Sequence, residues 1–145
     1  NNRGNADFTL QEYQYAINSY SEAITLNPRY AIAYNGRGLA YSYVGNLQEA
    51  INNYTIAIDL NPTYAEAFLS RANTYYDIKN YKLAIDDYTA AITYKPTLAS
   101  AYYYRAGTYF TIQKFNEALR DVEIAQQLGF TIDPEFLQAI KENIK

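Results

Sequence analysis

Residues 31–64 read AIAYNGRGLAYSYVGNLQEAINNYTIAIDLNPTY, and the spacing inside this stretch decides the fold. Tyr34, Arg37, Gly38 and Tyr41 follow at steps of three and one, which places them on one stripe of a helix rather than on alternate faces of a strand. Gly45-Asn46 breaks that helix. Leu47, Ala50, Ile51, Tyr54, Ala57 and Ile58 then recur at steps of three and four, the signature of a second amphipathic helix. Asn61-Pro62 stops it, because proline disfavours helical geometry in the residue before it and has no amide hydrogen to continue the ladder. The stretch predicts helix, turn, helix, turn.

The same unit recurs along the chain. Pro28, Pro62 and Pro96 are equally spaced, and the same interval is kept by Ala16, Ala50, Ala84 and Ala118, by Ala23, Ala57, Ala91 and Ala125, and by Arg3, Arg37, Arg71 and Arg105. Tyr20, Tyr54 and Tyr88 form a further series that ends in Val122. Alanine at fixed places lets helices approach closely, and the tyrosines between them fill the space, so the periodic rings are expected to pack rather than to bind. Their hydroxyls are expected to reach helix ends or water.

The pattern resembles the tetratricopeptide repeat. One copy stands as Tyr34, Arg37-Gly38, Tyr41, Ala50, Tyr54, Ala57 and Pro62, the next as Phe68, Arg71-Ala72, Tyr75, Ala84, Tyr88, Ala91 and Pro96. A third runs Tyr102, Arg105-Ala106, Tyr109, Ala118, Val122 and Ala125, with Phe130 in place of Pro. The first copy enters late, as Arg3-Gly4, Ala16, Tyr20, Ala23 and Pro28. What the resemblance implies is an all-α, right-handed superhelix of helix-turn-helix repeats forming a single domain over residues 1–145. Its parts are a first repeat at 1–30 with a truncated first helix, repeats at 31–64, 65–98 and 99–132, and a capping helix at 133–145.

The cap has signals of its own. A stack of repeats leaves its last apolar face uncovered unless a further element closes it. Asp133-Pro134 reads as an N-cap followed by proline in the first turn, with Phe136, Leu137, Ile140 and Ile144 on one face and basic Lys141 and Lys145 at the end. At the other end the first helix lacks the ring that Tyr34, Phe68 and Tyr102 supply, so Phe8 is expected to be frayed or covered, and this end is the expected place for self-association.

One departure from the family pattern carries a structural prediction. Arg replaces the usual Leu before the Gly in all four copies, and Asp87 and Asp121 follow Arg71 and Arg105 at one constant offset, on the second helix of the same hairpin. At least one of these arginines should meet a carboxylate and fix the hairpin. Ser19 and Asn53 hold the earlier equivalent places and can accept only neutral hydrogen bonds.

In such a superhelix the resemblance implies that the first helix of each pair lines the concave side. Groove positions would then be Asn1, Asn2, Asn5, Phe8 and Thr9 in the first repeat, and Ile32, Asn35, Leu39, Ser42 and Tyr43 in the second. Glu66, Leu69, Ser70, Asn73, Tyr76 and Asp77 follow in the third, and Ser100, Tyr103, Tyr104, Gly107, Phe110 and Thr111 in the fourth. That wall is aromatic, rich in amides and nearly free of cations, unlike an ordinary solvated helix face. Chaperone-adaptor members of the family hold a peptide's C-terminal carboxylate with Lys, Asn and Arg. The matching places here are Asn1, Asn5, Gly36, Glu66 and Ser70, or, one repeat later, Asn35, Leu39, Ser70, Ser100 and Tyr104. Neither frame supplies the cations, so the expected occupant is a peptide or protein segment offering apolar groups, backbone amides or a few basic residues.

Composition narrows the chemistry. The 145 residues contain no His, Cys, Met or Trp, which removes imidazole, thiolate and Cys/His zinc chemistry and leaves carboxylates, Lys, Tyr and hydroxyls. The expectation is a non-catalytic protein without cofactor or metal. Fifteen acidic against twelve basic residues provide no broad basic field, so nucleic acid is not an expected partner. No apolar run approaches the length of a membrane span. The chain reads as soluble, with the cytoplasm slightly favoured as its compartment. Weaker motifs are absorbed by packing: Gly36-Arg37-Gly38 lies inside a helix, Asn53-Tyr54-Thr55 places its ring in the core, and Asp86-Asp87 suits a salt bridge.

Overall fold

A computed structural model describes the backbone of residues 2–144 and the side chains of residues 9–144. Arg3 and the expected groove residues Asn1, Asn2, Asn5 and Phe8 therefore lie outside the described side chains. Eight helices follow in order among the described residues: α1 (Asn2–Leu26), α2 (Ala31–Tyr43), α3 (Leu47–Leu60), α4 (Ala65–Asp77), α5 (Tyr81–Tyr94), α6 (Ala99–Thr111), α7 (Phe115–Gln127) and α8 (Pro134–Asn143). Helices α2/α3, α4/α5 and α6/α7 form three hairpins. Each stacks on its predecessor through α3 against α4 and α5 against α6.

Each hairpin turns at one fixed register. Gly45, Lys79 and Gln113 are equivalent positions of successive repeats, and all adopt a left-handed backbone, with φ of 81°, 62° and 63°. The next amide then reaches back to close the helix end: Asn46 N donates to Tyr41 O at 2.9 Å, Asn80 N to Tyr75 O at 2.8 Å and Lys114 N to Tyr109 O at 2.8 Å. Asn46 and Asn80 also start the following helices, their side-chain oxygens accepting from Glu49 N and Leu83 N.

The first repeat departs from expectation. In place of a truncated helix and a turn within residues 1–30, α1 runs unbroken for 25 residues. The turn position falls on Gln11 and the following cap on Glu12, so neither glycine nor asparagine marks the break.

The core follows the periodic positions. Ala33, Ala67 and Ala101, Ala50, Ala84 and Ala118, and Ala57, Ala91 and Ala125 are fully buried, with Tyr54, Tyr88 and Val122 among them. At Gly36 a Cβ would run into the far end of the Tyr20 ring, so glycine lets α2 lie close against that side chain. At the far end α8 begins where Asp133 accepts from Glu135 N at 3.0 Å with Pro134 in the first turn. It buries Ile140 against Ala106, Ala118 and Val122. Removing that side chain from water contributes about 1.5–3 kcal/mol.

Candidate peptide-binding groove

The arginine series sets the geometry on which the groove is built. Arg71 Nε and Nη2 donate to the two carboxylate oxygens of Asp87 at 2.7 and 2.9 Å, and Arg105 does the same to Asp121 at 2.7 and 2.8 Å. Arg37 Nε donates to the amide oxygen of Asn53 at 2.8 Å. The predicted contact is thus made by both arginines. A second contact is one that sequence reasoning missed: Nη1 of Arg37, Arg71 and Arg105 donates to Ser21, Thr55 and Thr89 of the preceding repeat, at 3.1, 3.0 and 2.9 Å. These hydroxyls also recur at the period of the repeat, a signal present in the sequence. Each guanidinium also sits over neighbouring rings, Arg105 at 5.8 Å from both Tyr102 and Tyr109. Each of the three arginines therefore ties its own hairpin shut and ties it to the repeat before. Burial opposes the charge of Arg71 and Arg105, but the hydrogen bonds and charge of Asp87 and Asp121 outweigh it and hold both guanidiniums protonated.

Curvature follows from which helices meet across repeats. α2 touches α4 and α4 touches α6, whereas no comparable contact joins α3 to α5 or α5 to α7 among the described residues. The first helices of the hairpins therefore lie on the tighter, inner side of the stack, the side that the family resemblance assigns to the groove.

The structure distributes the expected groove residues unevenly. Asn35 is buried and its Nδ2 meets the Tyr64 hydroxyl at 3.5 Å, while its Oδ1 has no hydrogen-bond partner among the described residues. Leu39 and Tyr43 are exposed, and Tyr43 stacks on Tyr13 at 4.6 Å. Leu69 is half-buried, packed beside Ala72, Ala84 and Tyr88. Glu66 is paired with Lys95 at 2.6 Å, and that hydrogen bond pulls its carboxyl below the usual range.

Another group comes together. Asn73, Tyr76, Asp77, Tyr103 and Tyr104 line one cavity of about 340 Å³ with Tyr88, Gly107 and Phe136. Tyr88 reaches it from α5, its hydroxyl donating to Asn73 Oδ1 at 2.6 Å, and Phe136 reaches it from α8, edge-on to Tyr103 at 5.8 Å. Tyr76 bridges from α4 to Thr111 of α6 at 3.2 Å. Burial, with the charge of Asp77 beside it, pushes the Tyr88 phenol well above its ordinary value, and burial also raises the Asp77 carboxyl. Sequence reasoning assigns Tyr88 to packing and Phe136 to the cap, and so misses their part in this wall.

An α-solenoid of helical hairpins with an inner aromatic groove defines a scaffold that works through protein contacts. Three sequence-family models match, described as a TPR repeat at residues 4–42 and a tetratricopeptide repeat at 31–64 and at 65–98. The chain belongs to the tetratricopeptide repeat family. No curated protein matches it in sequence. Among solved structures, MamA superposes with a TM-score of 0.80 at 21% identity, covering 96% of this chain and 82% of that one. The Arabidopsis OM64 TPR domain gives 0.75 at 22% identity, over 79% of this chain and 96% of that one. The first TPR of Spaghetti (RPAP3), bound to the HSP90 peptide SRMEEVD, gives 0.71 at 26% identity, over 78% and 89%. The fold is therefore the expected right-handed tetratricopeptide superhelix closed by a capping helix. No helix among the described residues is long and apolar enough to cross a membrane.

Proposed function

We propose that the protein is a non-catalytic scaffold that holds a peptide or protein segment along its inner groove, without a carboxylate clamp. The observation that carries this is the aromatic cavity between α4, α6 and α8, open beside a wall whose charged groups include Glu66 and Asp77. Acidic peptides such as the one bound to the RPAP3 domain are disfavoured, because the matching places here supply no cation. The net charge of −3 and the acidic wall equally disfavour nucleic acid. A library of random-sequence peptides titrated against the protein and against Tyr43→Ala plus Tyr104→Ala tests the reading. Binding that the double variant loses while its circular dichroism is unchanged supports the groove; equal binding by both removes it.

A second reading, a homo-oligomerising module, is favoured by one specific feature. The α1 and α2 surface carries Tyr15, Leu26 and Tyr43 at 75%, 87% and 67% exposure. Sedimentation over a range of concentrations decides it: a mass that rises with concentration, and falls back on Tyr15→Ser plus Leu26→Ser, supports assembly, and a persistent monomer refutes it.

A further inference from the structure

We propose that the cavity between α4, α6 and α8 receives a guanidinium, the side chain of an arginine on the segment held in the groove. The inference rests on the groove reading above and adds the chemistry of one subsite.

The chain itself shows what surroundings hold a guanidinium in this fold. Arg71 and Arg105 each lie over two ring faces and against one carboxylate. The cavity presents the same set of groups: the rings of Tyr76, Tyr88, Tyr103 and Tyr104 with the carboxylate of Asp77. No cation among the described residues lines it. Among the described residues Asp77 has no ammonium or guanidinium within ion-pair distance, whereas Glu66, the other acid on the wall, is already neutralised by Lys95. A carboxylate beside aromatic faces, with no countercharge within ion-pair distance among the described residues, attracts a cation.

Planarity selects arginine over lysine. A guanidinium is flat, weakly hydrated and forked, so it can lie on a tyrosine face while giving two hydrogen bonds to one carboxylate; an ammonium is a hydrated point charge that does neither as well. Size agrees, since about 340 Å³ lies at the low end of ligand pockets and suits one long side chain rather than a bulky group. Register explains why the space exists at this point of the stack. Leu39, Asn73 and Gly107 are equivalent positions, and a Cβ on Gly107 would meet nothing within 4 Å.

The experiment uses nuclear magnetic resonance on the full chain, titrated with N-acetyl-arginine methylamide and with two relatives, the neutral citrulline isostere and the lysine methylamide. The arginine probe should shift the Asp77, Tyr104 and Gly107 resonances saturably. It should bind about ten-fold tighter than citrulline, and Asp77→Asn should remove that margin. Gly107→Leu, which fills the cavity with the side chain present at position 39, should abolish the shifts. Thermal melts of both variants check that they fold. Equal shifts from arginine and citrulline, a preference for lysine, or indifference to Asp77→Asn overturns the proposal. Random peptides with one position fixed as arginine or citrulline separate the two readings. Binding without an arginine preference leaves the groove and sinks the subsite, whereas peptides that never bind while the arginine probe does would sink the groove alone.

Discussion

Asp87 offers a test with its control already built into the chain. The Arg71 and Asp87 side chains are 16% and 10% exposed, and the carboxylate takes two of the three hydrogen bonds that the guanidinium donates. Asp87→Ala would strand the cation between Phe68 and Tyr75 with the Thr55 hydroxyl as its remaining acceptor. Breaking a fully buried pair on one side costs about 3–5 kcal/mol; the residual exposure here lowers that to about 2–4 kcal/mol. Asp87→Asn is a different perturbation, because it recreates the arrangement of Arg37 with Asn53 one repeat earlier. A neutral acceptor remains, and the expected loss is about 1–2 kcal/mol. Urea unfolding followed by circular dichroism measures both, provided the slope of the transition is unchanged, since a repeat array can lose cooperativity. Against a total stability of about 5–15 kcal/mol the difference is easily resolved. Equal losses for alanine and asparagine, or a loss under about 1 kcal/mol for alanine, would refute the idea that the carboxylate holds the hairpin through Arg71.

Two further outcomes follow from the turn and the core. Lys79 and Gln113 hold the left-handed conformation that Gly45 adopts freely, so Lys79→Gly should stabilise the protein by about 0.5–1 kcal/mol while Gly45→Ala destabilises it by a similar amount, both read from urea midpoints. Burial, with Thr74 and Ser42 partly offsetting it, pushes the Tyr54 phenol from 10.0 up to about 12. An acid whose folded pKa is raised contributes stability below its unfolded pKa and loses it as pH climbs to the folded one. Thermal stability should therefore fall between pH 10 and about 12, and Tyr54→Phe should flatten that fall; an unchanged slope in the variant would exclude Tyr54 as its source.

What the sequence makes legible is whatever repeats. The equally spaced alanines, arginines and rings predict the hairpins, and the constant offset from arginine to aspartate predicts a carboxylate contact for at least one of Arg71 and Arg105, where the structure has both. The inter-repeat bonds to Ser21, Thr55 and Thr89 are equally periodic but lie in a series that packing arguments do not single out, since an exposed or half-buried hydroxyl has no volume signature. The unbroken α1 is harder. A turn is visible in sequence when glycine or a cap marks it, yet Lys79 and Gln113 show that this fold can impose the left-handed bend on ordinary residues. At Gln11 the helix continues unbroken. The cavity is half legible: Asn73, Tyr76, Asp77, Tyr103 and Tyr104 follow from helix register, but Phe136 enters from the cap, and no spacing rule within a repeat relates α8 to α6.

Stability and recognition occupy different registers of the same helices. Positions 37, 71 and 105 are all arginine, and positions 33, 67 and 101 all alanine, because each faces the next helix in a copy of the same environment. The inner wall obeys no such identity: positions 35, 69 and 103 are Asn, Leu and Tyr, positions 39, 73 and 107 are Leu, Asn and Gly, and positions 43, 77 and 111 are Tyr, Asp and Thr. Contacts at these positions are made by different groups in each repeat, as in Tyr43 on Tyr13 and Tyr76 with Thr111, so chemical identity can vary from repeat to repeat along a constant frame. The cavity arises where three such departures meet: an acid at 77, a missing side chain at 107 and a tyrosine at 104 where the earlier equivalents are Gly36 and Ser70. Its shape is thus a property of the order of the repeats: exchanging the α2 and α4 wall residues pairwise would set Leu at 73 and Tyr at 77 opposite Gly107 and Tyr104, dispersing the groups of the cavity without altering the fold that carries it.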